Sequence, residues 1–187
     1  MRTAYKAFNQ DLTCTLGRGT FQYVPGKWYE EEQANCIKNG FHCAANPLDT
    51  MNYYGDWDRS QYWMVEIDGD IDEDGTDTKI SATKIRLAKK LNLMEFVAHA
   101  MMYIYGHPAL KMNQRVQRDE AKMSENDKFV IVRGENPKAM GVKEGQIIGL
   151  IKEVQGAENK IEAMGMFEID GREHRTGTWY DVDGKGT

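Results

Sequence analysis

The chain has 187 residues, 41% of them hydrophobic, and a formal net charge of −5. This length fits one domain, or one domain with a small appendage, and the acidic balance argues against general nucleic-acid binding. The sequence has no segment with the roughly 20 apolar residues of a membrane span, and its N-terminus lacks the apolar core of a signal peptide. We therefore expect a protein that has no membrane contact and stays in the cytoplasm.

The first part of the chain alternates short strand patterns with helix end signals. Ala4 to Phe8 and Phe21 to Val24 are predicted strands. Glu30 to Asn39 is predicted as a helix, because glutamates fill its first turn and Asn39-Gly40 supplies a left-handed exit. A buried strand is then predicted from Phe41 to Ala44.

A further helix and two strands are predicted in the middle of the chain. The helix runs from Asn46-Pro47 to Gly55, since asparagine is a good N-cap and proline suits the first helical position. Alternating apolar residues predict a strand from Gln61 to Asp68 and a bulged strand from Lys79 to Leu87. Apolar residues at helical spacing then predict an amphipathic helix from Leu93 to Tyr105.

The last third begins with a charged segment and ends in strand patterns. Lys111 to Asp127 has few large apolar residues, which is typical of a solvated helix or a linker. Asp170-Gly171 has the residues of a two-residue hairpin turn between the last two predicted strands. The predicted strands are Lys128 to Arg133, Gln146 to Val154, Ile161 to Ile169 and His174 to Val182.

Together these elements predict an α+β fold. It would combine a mixed or antiparallel sheet with two or three helices, followed by a small C-terminal antiparallel sheet or partial barrel. We expect an α+β domain over residues 1–107, a charged helix or linker over 108–127, and a small antiparallel β subdomain over 128–187.

An acidic segment runs from Asp68 to Asp77. Its acidic residues are Asp68, Asp70, Asp72, Glu73, Asp74 and Asp77. Asp70, Asp72 and Asp74 have the spacing of the first half of a calcium loop, but Ser81 replaces the glutamate at the twelfth position. Three interpretations stay open: a solvated hairpin turn, an incomplete calcium site, and a surface that mimics phosphate charge and docks into a basic groove.

The cysteines and histidines do not form a recognisable catalytic or zinc pattern. Cys14, Cys36, His42 and Cys43 lack the paired C-x₂-C spacing of zinc sites, so buried structural thiols are the favoured interpretation. His42 and Cys43 are neighbours on a predicted strand and therefore point to opposite faces. We predict no catalytic residue, no metal and no cofactor from these residues.

A basic cluster lies in the charged segment. Arg115, Arg118 and Lys122 are spaced three and four residues apart, so they would share one face if this segment were helical. Such a face could contact phosphates or an acidic protein surface, or it could be solvated.

Short motifs are spread from Ala4 to Leu87. They are Tyr5-Lys6-Ala7-Phe8, Leu12-x-Cys14, Phe21-Gln22-Tyr23, Gly26-Lys27, Gly40-Phe41-His42-Cys43, Pro47-Leu48-Asp49, Tyr53-Tyr54, Val65-Glu66, Gly69-Asp70-Ile71 and Thr83-Lys84-Ile85. In these motifs the chain resembles a family of uncharacterised proteins encoded by phages, prophages and gut bacteria. This resemblance implies a family relationship but no particular chemistry.

The order of the predicted elements also resembles ADP-ribosyltransferase-like folds. This resemblance implies an NAD site at Lys6, Tyr23, His42 and Glu66, and with it an NAD-dependent transferase or an inactive descendant of one.

The short, acidic chain also looks like an anti-CRISPR protein that acts on a Cas9-type nuclease. This resemblance implies a binding protein, rather than an enzyme, that inhibits a host nucleic-acid defence nuclease in the cytoplasm of an infected or lysogenic bacterium. The acidic segment would make the main contact, and Arg115, Arg118 and Lys122 would make a second one. A structural or regulatory phage protein is a further alternative.

Overall fold

A computed structural model describes residues 1–15, 19–36, 38–73, 75, 77–157 and 159–187 of the chain. It divides into two compact units, Met1–Asn92 and Leu93–Thr187. The residues that the structure describes are 47% strand and 12% helix, so the predicted α+β class is wrong and the protein is mainly β. The first unit ends at Asn92, and the helix that follows packs within the second unit.

The first unit is built from strands that pair over long distances in the sequence. They are β1 (Arg2–Asn9), β2 (Thr13–Cys14), β3 (Phe21–Gln22), β4 (Trp28–Glu30), β5 (Phe41–Ala44), β6 (Ser60–Glu73) and β7 (Lys79–Lys90). β1 pairs with β6, β6 with β7, β7 with β5, and β5 with β1 at Tyr5 and Ala44, all antiparallel. These four strands therefore form a closed ring of pairings, with Phe8, Val65 and Ile85 among its buried apolar residues.

The helix predicted from Glu30 to Asn39 is wrong. Trp28–Glu30 is strand β4, which pairs with β7, and its Trp28 ring lies 5.0 Å from the Arg86 guanidinium. Turns follow it among the described residues up to Gly40. The charges and the glycine exit are valid end signals, but the segment has too few apolar residues to form the stripe that holds a helix against a core.

The other predicted helix of the first unit is short. It is α1 (Pro47–Thr50), and the Asn46 side chain accepts a hydrogen bond from the Leu48 amide as the predicted N-cap. A single 3₁₀ turn, Trp57–Arg59, follows. Strand β6 continues through much of the acidic segment and is antiparallel to β7, with Glu73 paired to Ile80, which is the pairing that the hairpin interpretation requires.

The second unit is a helix and a five-stranded mixed sheet. Its elements are α2 (Leu93–Gly106), β8 (Val116–Lys122), β9 (Phe129–Met140), β10 (Ile147–Glu153), β11 (Ile161–Glu168) and β12 (Trp179–Tyr180). The predicted amphipathic helix is confirmed by α2, whose buried side chains include Phe96, Val97 and Ala100. Among the described residues, no helix is long and apolar enough to cross a membrane.

The pairing pattern of this sheet differs from the predicted one. β9 is parallel to both β8 and β10, whereas β10–β11 and β9–β12 are antiparallel, so the predicted antiparallel sheet is wrong. Part of the segment predicted as a charged helix or linker is strand β8. The turn at Asp170 forms, because its carboxylate accepts the His174 amide, but β12 pairs with β9 and makes no hairpin with β11.

Candidate functional site

The first unit contains a cavity of about 380 Å³, which we call the Lys6 cavity. Strands β1 and β5 and the turn after α1 form much of its wall. Its lining residues are Tyr5, Lys6, Ala7, Cys14, Gly19, Phe21, Tyr23, Glu31, Gly40, Phe41, His42, Cys43, Ala44, Thr50, Tyr53, Tyr54 and Lys79. It therefore combines aromatic rings with two basic side chains and one acidic side chain.

Lys6 lines this cavity and lies close to two aromatic rings. Its Nζ donates to the His42 carbonyl oxygen at 2.5 Å, and it lies 5.6 Å from the Phe8 ring centroid and 5.7 Å from that of Tyr23. The contacts described for Lys6 are thus a carbonyl and two rings, and none of these is a carboxylate. A ligand anion can pair with an ammonium in such a setting.

Tyr23 belongs to an aromatic cluster of which Phe21, Tyr23 and Phe41 line the Lys6 cavity. Its ring centroid lies 4.7 Å from Phe21, 5.1 Å from Phe8, 5.2 Å from Tyr29 and 6.2 Å from Phe41. Burial raises the pKa of the Tyr23 hydroxyl above its usual value, so the ring stays uncharged at neutral pH. These inclined, edge-on contacts fix the rings in place.

A family of unknown function covers this whole site. The family model described as a domain of unknown function (DUF7666) matches residues 2–99, more than half of the chain. The chain belongs to the DUF7666 family. Comparison with curated proteins and with solved structures gives no match. The residues that line the Lys6 cavity all lie within the matched part of this chain.

Two titratable groups beside Lys6 in the DUF7666 domain, His42 and Cys43, are held in their neutral forms. Burial, and then the positive charges of Lys6 and Lys79, lower the pKa of His42. Burial raises the pKa of the Cys43 thiol to about 12, so this thiol is protonated and a poor nucleophile at neutral pH. The predicted burial of Cys36 and Cys43 is confirmed.

The pKa of His42 makes the stability of the first unit depend on pH. The unfolded chain binds a proton at the ordinary histidine pKa of 6.5, whereas the folded chain binds it only at a lower pH. Protonation therefore favours the unfolded state, and the free energy of unfolding should fall as the pH drops below 6.5 toward the folded-state pKa. Urea unfolding at pH 7.5 and 5.5, followed by tryptophan fluorescence, would measure this loss.

The matched variant for that experiment is His42→Gln, which should lose less stability between the two pH values. His107→Gln, in the second unit, should keep the wild-type dependence of the first unit. An equal loss in the wild type and in His42→Gln would contradict the assignment.

Three of the four residues of the NAD site implied by resemblance line the Lys6 cavity. Glu66 does not: it lies on β6, and its Oε2 accepts from Arg86 Nε at 2.8 Å. Sequence reasoning missed Lys79, Glu31 and the contribution of Tyr53-Tyr54 to the cavity. The tyrosine pair was visible as a motif, but Lys79 lies at a strand start whose position depends on pairing with β5.

Four carboxylates of the acidic segment of the DUF7666 domain, those of Asp68, Asp72, Glu73 and Asp77, bind groups of the same chain. Asp68 binds the Met1 ammonium at 3.0 Å, which holds the pKa of Asp68 below its usual value, and Glu73 accepts from Arg2 at 2.5 Å. The described contacts of the remaining members are Asp72 Oδ2 with the Cys36 amide at 2.7 Å, Asp77 Oδ1 with the Lys79 amide at 2.7 Å, and the Asp70 amide with Thr83 Oγ1 at 2.9 Å. Asp74, part of the calcium-loop hypothesis, lies outside the described residues.

The basic cluster of the second unit has no shared helical face. Arg118 and Lys122 belong to strand β8, and Arg115 precedes it with its amide bonded to Asn113 Oδ1 at 2.8 Å. Arg118 forms an ion pair with Glu153, with Nη1 2.9 Å from Oε2. Because the segment is not helical, the condition for a common helical face is not met, and Arg118 instead shares Glu153 with Arg133.

Proposed function

We propose that the DUF7666 domain of this chain is a small-molecule-binding domain, and that the Lys6 cavity takes a nucleotide-like ligand. Such a ligand joins a planar aromatic group to an anionic group. The observation that carries this proposal is the Lys6 ammonium, which lies against aromatic rings in a cavity and whose described contacts include no carboxylate.

The size and the wall chemistry of the Lys6 cavity support this ligand class. Its volume of about 380 Å³ is within the range of roughly 300–1,000 Å³ that is usual for small-molecule sites. Rings such as Phe21 and Tyr53 offer flat surfaces for stacking, and stacking on a planar base does not require a specific base identity. Lys6 and Lys79 supply positive charge for the anionic part.

The proposal is limited to binding, without group transfer. Glu66, the carboxylate that NAD-dependent transfer would need, is bonded to Arg86 and is not among the residues lining the cavity. The Cys43 thiol is protonated at neutral pH. Neutral His42 can donate or accept a hydrogen bond to a ligand, which is a binding role.

The test is isothermal titration of the full chain with adenosine, AMP, ADP-ribose and NAD. We expect AMP or a larger nucleotide to bind more tightly than adenosine, since only the former carries the anion. Lys6→Met should weaken nucleotide binding by about 10- to 100-fold, the effect of losing a hydrogen bond to a charged group.

Lys27→Met is the matched control, because it removes the same charge from the first unit outside the cavity. It should leave nucleotide affinity unchanged. No saturable binding by any of the four compounds, or an equal effect of Lys27→Met and Lys6→Met, would refute the proposal.

Inhibition of a host defence nuclease stays a prediction. It rests on the charged surfaces and on a resemblance, and the ion pairs of Asp68 with the Met1 ammonium and of Glu73 with Arg2 reduce the free negative charge that such docking would use.

A further inference from the structure

The second unit contains a separate polar cavity of about 280 Å³, which we call the Arg118 cavity. Its lining residues are Ala109, Leu110, Lys111, Met112, Arg118, Arg133, Glu153 and Asn159. It lies beside the ends of β8 and β10 and the chain that follows α2. None of these residues takes part in the Lys6 cavity.

A buried ion cluster forms the floor of the Arg118 cavity. Arg133 and Glu153 are both buried, and Arg133 binds Glu153 Oε1 through Nε at 2.8 Å and Nη2 at 2.7 Å. Arg118 binds the other carboxylate oxygen, Oε2, through Nη1 at 2.9 Å. The Glu153 carboxylate therefore binds two guanidinium groups, Arg133 through Oε1 and Arg118 through Oε2.

The charges around this cavity do not balance. Among the described lining residues, Lys111, Arg118 and Arg133 are basic and Glu153 is the acidic one, which leaves two positive charges. Arg118 is about half exposed, so its guanidinium donors can reach both Glu153 and the cavity. Excess positive charge next to a partly desolvated site is stabilised by an anion with several acceptor oxygens.

The cluster is also held in place before any ligand arrives. Arg133 Nη2 donates to the Pro108 carbonyl oxygen at 2.8 Å, and Glu153 Oε1 accepts from Nε of the same guanidinium at 2.8 Å. Donors that are already positioned lose little conformational entropy on binding. Arginine forks match the geometry of tetrahedral oxyanions, which a single flexible lysine does not.

We propose that the Arg118 cavity binds a small oxyanion of the phosphate class. Arg118 and Lys111 contact the anion directly, and Arg133 and Glu153 position Arg118. This site is independent of the proposed nucleotide cavity, because it uses residues of the second unit alone.

The experiment is isothermal titration of the full chain with inorganic phosphate at low ionic strength, with sodium acetate at equal ionic strength as a comparison. We expect saturable phosphate binding and no saturable acetate binding, since acetate carries one charge and two oxygens. Arg118→Gln should weaken phosphate binding by about tenfold or more, as the loss of a charge-assisted contact implies.

Two further variants separate anion binding from folding and from general charge. Lys111→Gln leaves the Arg133–Glu153–Arg118 cluster intact and should also weaken phosphate binding. Lys138→Gln removes a partly exposed lysine that pairs with Glu120, outside the cavity, and should not change phosphate binding. Absence of saturable phosphate binding, or equal weakening by Lys138→Gln and Lys111→Gln, would overturn the proposal.

Discussion

Replacing Arg133 with methionine is expected to destabilise the second unit by about 3–5 kcal/mol, the usual cost of removing one partner of a buried ion pair. The Arg133 and Glu153 side chains are only 3% and 4% exposed. The variant would leave Glu153 Oε1 without its two guanidinium donors, and Arg118, which is half exposed, reaches only Oε2. Native-state hydrogen exchange of amides in β9 and β10 would measure the loss.

Two further variants test whether the loss of stability comes from the burial of the ion pair. Lys152→Met breaks an exposed pair with Glu162 in the same sheet and should cost less than about 1 kcal/mol. The double variant Arg133→Met/Glu153→Met should recover much of the stability, because it removes the stranded carboxylate as well. A similar loss for Arg133→Met and Lys152→Met would contradict the buried-pair argument.

Replacing Gly40 with alanine is expected to destabilise the first unit by about 2–5 kcal/mol, from a left-handed conformation and a steric clash together. Gly40 has a φ of +85°. An added Cβ would clash with Ser81 Oγ and would lie 3.0 Å from the Ala82 carbonyl oxygen and 3.1 Å from Ala34 Cα. Ser81 cannot easily move away, because it is buried and its hydroxyl donates to the Asn39 carbonyl oxygen.

Gly26 offers a matched comparison for this variant. Its φ is +77°, and an added Cβ would meet nothing within 4 Å. Gly26→Ala should therefore cost only the conformational part, about 1–2 kcal/mol. Urea unfolding would measure the loss of unfolding free energy in both variants, and the difference between the two losses is the cost of the steric clash at Gly40. Equal losses would contradict a steric cost at Gly40.

Local signals in the sequence predicted turns and helix caps better than they predicted which strands pair with each other. The Asn46 cap and the left-handed Gly40 are present, because each depends only on neighbouring residues. The charged strand β8 was not predicted as a strand, since its polar residues lack a strand pattern and its conformation depends on parallel pairing with β9. Pairing between distant segments is a tertiary effect that no local window contains.

The same limit applies to the candidate sites. Resemblance brought together Lys6, Tyr23 and His42, but the Lys79 charge joins them only through the pairing of β5 with β7. The spacing of Arg115, Arg118 and Lys122 suggested one face, whereas Arg118 instead meets Arg133 and Glu153, which come from two other strands. Such a cluster has no signature in sequence spacing.

The closed ring of pairings in the first unit has a consequence for biosynthesis. β1 can pair with β6 only after Ser60–Glu73 has been made, and the ring closes only when Lys79–Lys90 has left the ribosome and can pair with both β6 and β5. Contacts this distant in sequence slow folding. The nascent chain must therefore carry unpaired strands through most of the translation of this unit, a period in which chaperone binding would protect it from aggregation.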